Sequence, residues 1–501
     1  MAQNTISGPR TYGNWKRPSR AGLYGLGMGG TYLLLGALIV VVVVTAAGGI
    51  LRGLVAFLLV GIAVAAILRR DRHGRSVVDR AVTRAGWART TATGANVYRS
   101  GPLGFVPWGT AQLPGLAAQL RLSEHTDGYG RNFALIYAPS TATYTVVLAT
   151  EPDGAALVDP EQVDTWVADW GTWLASLADE PGLQGCSVTV ETAPDTGHRL
   201  RAEVSSSIDP AAPEFARRML HEVVDRYPAG SSVIKAYVSL TFASASTGTG
   251  KKRTPAEMGR DLAARLPGLA STLGMTGAGV ARALDAAEMC EMVREAYNPG
   301  ATALIDEAHT AGEDMRLTWP EVGPMAANAE WDGYRHDDAY SVTWAMSQAP
   351  RGHVQSAVLA RLLAPHRDVA RKRVSILYRP IDSARAAALV ESDATAAEFV
   401  RTSKKRPDAR ANLAAASALA TAEEEASGAG LVDFAMVVTA TVTDLSRIPE
   451  AHAAIDNLSA TARLRLRPVY GSQDSAFAAG LPLGLIIPKH LKVPTAVKER
   501  L

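Results

Sequence analysis

The chain has 501 residues, of which 47% are hydrophobic, 20% charged and 6% aromatic. That length allows about three domains, and the composition excludes disordered, collagen-like and disulfide-scaffold proteins. The net charge of +2 is unevenly spread: residues 1–70 contain seven Lys/Arg and no Asp/Glu, which leaves −5 for residues 71–501. A basic, apolar head therefore precedes a mildly acidic body.

Two uncharged stretches dominate the head. Between Arg20 and Arg52 there are 31 uncharged residues, with an apolar centre at Tyr32–Ala47, and a second stretch, Gly53–Leu68, follows at once. An apolar helix of about 20 residues crosses the ~30 Å hydrocarbon core of a bilayer. The pattern therefore predicts membrane-spanning helices, although the second stretch is short.

We predict a transmembrane hairpin with helices at about 27–48 and 50–68, within an N-terminal unit of residues 1–75. One span plus a membrane-surface helix is the alternative. A cleaved signal peptide is disfavoured, because its apolar region has only about 7–15 residues and no second stretch follows it.

The Lys and Arg residues set the predicted orientation. They precede the first stretch and follow the second, and only Arg52 lies between. The positive-inside rule then places both termini in the cytoplasm, which predicts a multi-pass protein of the cell (inner) membrane. Cys186 and Cys290 lie far apart and outside any C-x-x-C motif, so we expect free thiols and no structural zinc.

The sequence of the body predicts repeated segments of alternating strands and helices. The predicted divisions are a connector (76–130), a first cytoplasmic lobe (131–280), a linking region (281–338), a second lobe (339–485) and a C-terminal tail (486–501).

Alternating and three- or four-residue apolar periods predict the elements of the first lobe. These are strands Phe133–Ala138 and Tyr144–Thr150, a helix after a predicted Asp159 cap that buries Val163 to Leu177, strand Ser187–Thr192, a helix with Phe215, Leu220, Val223 and Tyr227, strand Val233–Phe242 and helix Pro255–Leu273.

The second lobe repeats this order. Its elements are strand Ser341–Met346, helix His353–Leu363, strand Val374–Tyr378, an Ala-rich helical region broken at Pro407 and ended by Gly428, strand Leu431–Thr443, helix Arg447–Ala462 and strand Arg463–Arg467. The sequence therefore predicts an α+β fold in which the transmembrane hairpin is followed by two related β-α-β-α-β-α lobes, packed by their sheets and helices.

One glycine-rich loop resembles a phosphate-binding loop. Ala245–Lys252 lies between a strand and a helix, but Ala245 replaces a required glycine and Lys252 replaces the Ser/Thr that holds Mg²⁺. We expect a flexible basic loop and no nucleotide hydrolysis by this chain alone.

Other patterns are weak as sites. His221-Glu222-x-x-Asp225 is half a zincin motif on a helix whose Leu220, Val223 and Val224 are expected to face a core, and His336-Asp337-Asp338 reads as a loop before a strand. No G-x-S-x-G motif occurs, and neither cysteine has a neighbouring histidine. We therefore predict no catalytic, cofactor-binding or metal-binding residues and no cofactor.

Two surface or core patterns stay open. Arg463, Arg465 and Arg467 line one face of a strand and could meet phosphates or acidic lipid, or form a solvated edge. The tryptophans of helix 163–177 are expected in the core.

Several sequence runs resemble a family of membrane proteins from actinobacterial integrative conjugative elements. These runs are Ile6–Trp15 (ISGPRTYGNW), the hairpin, Tyr98–Thr110 (YRSGPLGFVPWGT), Val146–Gly171, Val374–Asp382 and Arg467–Gly484. The resemblance covers nearly the whole chain.

The end of the chain is similar to a wider group. In type IV secretion motor ATPases, a nucleotide-free N-terminal domain ends in strand, helix, strand and a Gln/Ala/Leu-Pro-Gly stretch before the ATPase domain; Val437–Thr443, the helix through Leu458, Leu464–Arg467 and Gln473–Pro482 are similar to that ending. The head resembles the small two-helix membrane subunit that pairs with those ATPases. Since the chain stops within about 20 residues of that point, the likeness implies an anchor fused to an ATPase-docking domain, with the ATPase on a separate polypeptide.

We therefore expect a non-enzymatic inner-membrane scaffold of a conjugative, type IV-like DNA-transfer machine. The expected partners are the membrane, the motor ATPase, other inner-membrane channel subunits and further copies of the chain, without direct nucleic-acid binding. The alternatives are a membrane component of a type VII-like protein secretion system and a membrane-tethered enzyme.

Overall fold

The computed structural model of the chain describes residues 10–15, 27–69, 71–102, 104, 106–107, 109–152, 154, 157–226, 232–245, 250–313, 315–350, 352–403 and 409–490. Statements about structure below refer to these residues. Pro407 and Tyr227, which belong to two predicted elements, lie outside them.

The described residues form α-helices and β-strands in an α+β arrangement. The helices are α1 Gly27–Gly48, α2 Ile50–Leu68, α3 Val77–Ala92, α4 Pro160–Ser176, α5 His198–Ser207, α6 Glu214–Arg226, α7 Pro255–Leu273, α8 Ala286–Tyr297, α9 Ala301–Ala311, α10 Ala360–Leu363, α11 Ser383–Thr402, α12 Ala409–Ala426, α13 Ile448–Thr461, α14 Gln473–Ala479 and α15 Ile487–His490. The strands are β1 Val97–Arg99, β2 Arg121–Thr126, β3 Asn132–Ala138, β4 Thr143–Glu151, β5 Leu183–Pro194, β6 Ser232–Ala243, β7 Val280–Ala283, β8 Ala326–Ala329, β9 Tyr334–His336, β10 Ala339–Gln348, β11 Arg371–Pro380, β12 Val432–Val442 and β13 Arg465–Pro468.

All the described strands belong to one antiparallel sheet. Its order is β1-β8-β9-β10-β12-β11-β5-β6-β4-β3-β2, with β13 paired to β10 and β7 paired to β4. The two predicted lobes therefore share one sheet. They join edge to edge, where seven residues of β11 pair with β5, from Lys372 opposite Thr192 to Tyr378 opposite Cys186.

The two halves of the sheet have the same topology. In the first half, β4, β5 and β6 lie in the order β4-β6-β5, and the strand after helix α7 returns to β4. In the second half, β10, β11 and β12 lie in the order β10-β12-β11, and the strand after helix α13 returns to β10. The halves meet through their second strands, so the sheet reads as a pair of equivalent units related by a pseudo-two-fold axis.

The two faces of the sheet differ in chemistry, because residues alternate between faces along a strand. On one face, β4, β6, β10 and β12 present Val, Leu, Phe and Trp side chains to helices α4, α7 and α13, forming two buried apolar clusters. On the other face the same strands present mainly hydroxyl and charged side chains, covered by α8, α14 and the C-terminal residues. We call this second surface the polar face.

The predicted transmembrane hairpin is wrong. Helices α1 and α2 form as the sequence predicts, but among the described residues no helix is both long and apolar enough to cross a bilayer. The prediction took the length of the uncharged stretches as the length of the apolar ones. The apolar segments Tyr32–Ala47 and Gly53–Leu68 have only 16 residues each. As helices they rise about 24 Å, which is less than the ~30 Å hydrocarbon core. The prediction of a multi-pass protein of the cell membrane with both termini in the cytoplasm rested on this hairpin and is wrong with it.

The two helices pack closely against each other through small residues. Only Gly49, with φ +81°, separates them. A Cβ atom on Gly53 would collide with Thr45 of α1, so glycine is what permits this close approach.

Three local predictions also fail. His353–Leu363 is not one α-helix, because Val354 pairs with Tyr12 in a β-bridge and the residues after it form a short 3-10 helix, Ser356–Leu359, followed by the short α10. The apolar face of α6 does not meet a core: Phe215 is 71% exposed and Val223 39%. Asp159 precedes α4, but its side chain makes no capping hydrogen bond.

The segment before α1 is attached to the body. Tyr12 exchanges backbone hydrogen bonds of 2.7 and 2.8 Å with Val354, and its hydroxyl donates to Asp164 Oδ1 at 2.7 Å. Asn14 Nδ2 donates to Thr421 Oγ1 at 2.8 Å. Contacts with α4 and α12 thus fix residues 10–15 on the body.

Candidate functional site

The polar face carries a row of buried hydroxyl groups that crosses both halves of the sheet. Each hydroxyl is paired with another on the neighbouring strand, which gives it a hydrogen-bond partner within the protein. The Oγ–Oγ pairs are Thr145–Thr241 (3.0 Å), Ser187–Ser239 (2.6 Å), Thr189–Ser375 (3.0 Å), Ser341–Thr441 (2.7 Å) and Thr343–Thr439 (2.9 Å). The Thr189–Ser375 pair lies on the seam between the halves.

A buried ionic cluster lies at one end of this row. The register places Glu191 of β5 between Lys235 of β6 and Arg373 of β11. Arg373 Nε donates to Glu191 Oε2 and Arg371 Nη1 donates to Glu191 Oε1, both at 2.8 Å. Lys235 Nζ donates to Oε2 of Glu295, from α8, at 2.8 Å.

The cluster holds its charges by mutual compensation. Burial alone would raise the pKa of Glu191, but the charges of Arg373 and Arg371 bring it below its usual value. Buried charges are stable only when they are paired and hydrogen-bonded. The arginines and carboxylates thus form ion pairs with one another, as expected of groups that stabilise the fold.

His336 lies at the same face and is completely buried. Its Nδ1 donates to the Tyr297 carbonyl oxygen at 2.5 Å, so Nε2 accepts from Ser341 Oγ at 2.8 Å. Burial is the main cause that lowers the pKa of His336 to about 4, and the nearby Arg373 and Arg371 charges act in the same direction. The imidazole is therefore neutral at pH 7.

The C-terminal residues cross the polar face as a strap, which we define as Gln473–Lys489. Gln473 is fully buried, and its side chain accepts from Thr343 N at 2.8 Å and donates to Thr343 O at 3.2 Å. Further along, the Gly480 carbonyl oxygen accepts from Ser375 Oγ at 2.6 Å, and Lys489 Nζ donates to Gln184 Oε1 at 2.7 Å. The strap therefore contacts both halves of the sheet.

Gly484 marks where the strap lies on the first half. Its φ is +69°, and a Cβ atom there would collide with the hydroxyls of Thr145 and Thr241. Leu481, Leu483 and Leu485 beside it are buried against the core. Glycine lets the strap backbone approach the hydroxyl row.

Arginines gather on the surface beside the base of the α1–α2 hairpin. We call Arg72, Arg75, Arg80, Arg465 and Arg467 the hairpin-base cluster. Arg465 Nη1 donates to the Arg72 carbonyl oxygen at 3.1 Å, which joins β13 to the loop after α2. Arg467 lies over the Tyr470 ring at 5.0 Å.

The candidate phosphate-binding loop, Ala245–Lys252, is described only at its two ends. Ala245 and Lys252 face each other in an antiparallel β-bridge. Ser246 to Thr249 lie outside the described residues. The described ends of the loop are thus paired with each other.

The candidate metal residues do not converge. His221 lies exposed on α6, Glu222 pairs with Arg226, and the Asp225 side chain lies outside the described part. Asp337 Oδ1 accepts from Met325 N at 2.7 Å, which fixes the turn after β9. Over the described ranges, no three His, Cys, Asp or Glu side chains are placed to bind a metal ion.

The two cysteines and Trp173 belong to the apolar core, and Trp170 packs against it, whereas Trp166 is half-buried and lies outside the buried clusters. Both cysteines are free and buried, and burial raises the pKa of the Cys186 thiol strongly and that of Cys290 to about 12. Thiols held neutral in this way are poor nucleophiles. Trp173 stacks on Trp170 at 4.8 Å within an apolar cluster.

The three arginines of the last predicted strand separate. Arg465 and Arg467 lie in β13, but Arg463 precedes it with φ +54° and donates to the His353 carbonyl oxygen at 3.3 Å. The sequence did not show that Arg72, Arg75 and Arg80 lie beside them, because nearly 400 residues intervene.

The ionic cluster was also missed. The run Arg371-Lys372-Arg373 at the start of a strand was the available signal, since alternation puts the two arginines on one face. Lys372 points to the other face and donates to the Ala364 carbonyl oxygen at 2.5 Å, and burial lowers its pKa to about 8.

Comparison with known proteins gives one family match. The sequence profile of a family described as a domain of unknown function (DUF8461) matches residues 19–79, which contain the α1–α2 hairpin and the start of α3. No curated protein matches the chain.

Proposed function

We propose that the chain is a non-enzymatic scaffold of a conjugative, type IV-like DNA-transfer machine, which docks a separate cytoplasmic motor ATPase. The machine's other channel subunits and further copies of this chain are its remaining proposed partners.

The observation that carries the proposal is the position of the strap. Strands β12 and β13, helix α13 and Gln473–Pro482 are the elements that resemble the ending before an ATPase domain. In the structure these elements lie together on the second half of the sheet, where Gln473 bonds to β10 and Gly480 bonds to β11. A partner beside the end of the strap would therefore meet a surface fixed to both halves.

The buried polar groups support a scaffold role. Glu191, Arg371, Arg373 and Glu295 bond to one another, and both ring nitrogens of His336 are used within the fold. Groups engaged in this way rigidify a fold.

The test is binding between the full chain and the motor ATPase encoded by the same genetic element. We expect a stable complex in size-exclusion chromatography and a changed rate of ATP hydrolysis by the ATPase, while the chain alone leaves ATP unhydrolysed. Absence of a complex at micromolar concentrations, or hydrolysis by the chain alone, would refute the proposal.

A pair of fusions locates the contact. A folded protein fused after Leu501 should weaken the complex at least about tenfold, which is about 1.4 kcal/mol, because it is attached 12 residues after Lys489 and competes with the ATPase for access to the end of the strap. The same protein fused before Met1 is the matched control and should leave binding unchanged. Equal effects of the two fusions would contradict docking at the strap.

A further inference from the structure

We propose that the hairpin-base cluster is a binding site for phosphate groups, either of a free oligophosphate or of an anionic lipid headgroup. This proposal is independent of the docking of an ATPase.

The first support is how the cluster is built. Asp71 Oδ1 accepts from the backbone N–H groups of His73 and Arg75, at 2.9 and 3.0 Å, which folds residues 71–75 into a tight loop. The loop is tied to the body where Arg465 Nη1 donates to the Arg72 carbonyl oxygen. Two segments far apart in the chain are thereby held together with their arginines on one surface.

A histidine bridge fixes the same arrangement. Arg72 Nε donates to His73 Nε2 at 3.1 Å, so His73 Nδ1 carries the proton and donates to Ser347 Oγ at 3.0 Å. Ser347 Oγ in turn donates to the Arg465 carbonyl oxygen at 3.0 Å. The side chains of Arg72 and Arg465 are therefore positioned before any ligand binds, which reduces the entropy lost on binding.

The positive charges of the cluster outnumber the acids beside it. None of its five arginines takes part in the ion pairs found among the described residues. The two nearby acids are used by the backbone: Asp71 in its loop, and Asp79 as an acceptor from Ser76 N at 2.9 Å. Five guanidinium groups thus lie near only these two carboxylates, both of which already accept hydrogen bonds from backbone N–H groups.

The chemistry of guanidinium selects the ligand. Arginine binds phosphate through two parallel N–H···O bonds, and clustered arginines repel one another until an anion neutralises them. Partial burial and the charges of Arg75 and Arg80 lower the pKa of Arg467, as that repulsion predicts. A dianionic or polyanionic phosphate relieves it best.

Two sources of phosphate fit the surroundings. The cluster opens to solvent, which admits a free oligophosphate. It also lies a few residues after α2, where Leu54, Leu58 and Ile62 are about 60% exposed. Those side chains would contact the acyl chains of a lipid whose phosphate sits on the arginines.

The test uses the full chain and two probes. Pyrophosphate is titrated by calorimetry, and vesicles of phosphatidylglycerol are compared with vesicles of phosphatidylcholine by co-sedimentation. We expect saturable binding of pyrophosphate, of phosphatidylglycerol vesicles, or of both, weakening as salt rises. Saturation by pyrophosphate alone identifies a free phosphate, and binding of phosphatidylglycerol but not phosphatidylcholine identifies a headgroup.

Substitutions tie the binding to the cluster. Arg465→Gln with Arg467→Gln, and separately Arg72→Gln with Arg80→Gln, should each lower affinity about tenfold or more. The second pair leaves β13 untouched and keeps the backbone carbonyl at residue 72, so it remains informative if the first pair unfolds. Arg218→Gln, at an exposed arginine of α6, is the matched control.

Three results would overturn the proposal. They are no saturable binding of either probe, equal loss in the Arg218→Gln control, and unchanged affinity in both double variants. Binding of a DNA oligonucleotide at least tenfold tighter than either probe would also overturn it, in favour of a nucleic-acid surface.

Discussion

At the scale of single residues, the polar face shows how a buried group is made compatible with folding. His336 is neutral because its ring is buried and the fold gives it one acceptor and one donor. This environment should lower the free energy of unfolding in acid, because the imidazole is solvated and protonates more readily in the unfolded chain.

We predict that His336 makes the fold sensitive to pH between about 4 and 6.5. Its pKa is about 4 in the folded chain and about 6.5 in an unfolded chain. In that window the unfolded chain binds a proton that the folded chain does not, so stability is lost as the pH falls, by up to about 1.4 kcal/mol per pH unit.

The measurement is the free energy of unfolding in urea at pH 7, 6 and 5 for the native chain and for His336→Asn. Asparagine can still donate to the Tyr297 carbonyl oxygen but does not titrate. The variant should lose stability at pH 7 and show a flatter pH dependence. The exposed His221→Asn is the control; parallel pH profiles for His336→Asn and the native chain would contradict the prediction.

At the scale of elements, the position of the strap depends on Gly484. The Gly484 backbone has φ +69° and lies directly against the hydroxyls of Thr145 and Thr241. An added methyl group has no relaxed position.

We predict that Gly484→Ala lowers the free energy of unfolding by about 3 kcal/mol, from backbone strain and the collision together. Gly428→Ala is the matched control, because Gly428 has φ +98° but no atom within 4 Å of the added Cβ; it should cost about 1 kcal/mol. Adding Thr145→Ala to Gly484→Ala should recover part of the loss. Equal effects of the two alanine variants would show that the collision is unimportant.

The sequence predicted individual elements better than their arrangement. The alternation of residues correctly predicted strand β6, and the predicted bounds of helix α7, Pro255–Leu273, match the structure. Both predictions rest on local sequence patterns. The edge-to-edge union of β11 with β5 and the joining of Arg465 to Arg72 depend on contacts over hundreds of residues, which no local period encodes. The hairpin failed for another reason: a lack of charge was taken as a measure of apolar length.

At the scale of the whole molecule, the seam makes one sheet of two equivalent halves. Ten residues of β11 pair with β12 on one side and seven pair with β5 on the other. Glu191 reinforces the seam from β5 by binding two arginines of β11. Disturbing it should therefore affect both halves together.

We predict that Glu191→Gln lowers the free energy of unfolding by about 3 kcal/mol, because two buried arginines lose their carboxylate. Hydrogen exchange should become faster in β4 and β12 alike. Glu398→Gln, in an exposed pair with Arg401, is the control and should change stability by less than about 0.5 kcal/mol. Faster exchange in only one half would show that the halves unfold independently.

The position of the strap has a consequence for how the chain is made. During synthesis β4, β6 and β11 leave the ribosome long before the residues that cover them, and the contact of Thr241 with Gly484 spans 243 residues. A nascent sheet with an uncovered apolar face would be prone to aggregate while it waits. Here the face that waits is lined with hydroxyls and paired ions, which water solvates well. We therefore expect the hydroxyls and paired ions of the polar face to make the unfinished sheet less prone to aggregate than an entirely apolar face would.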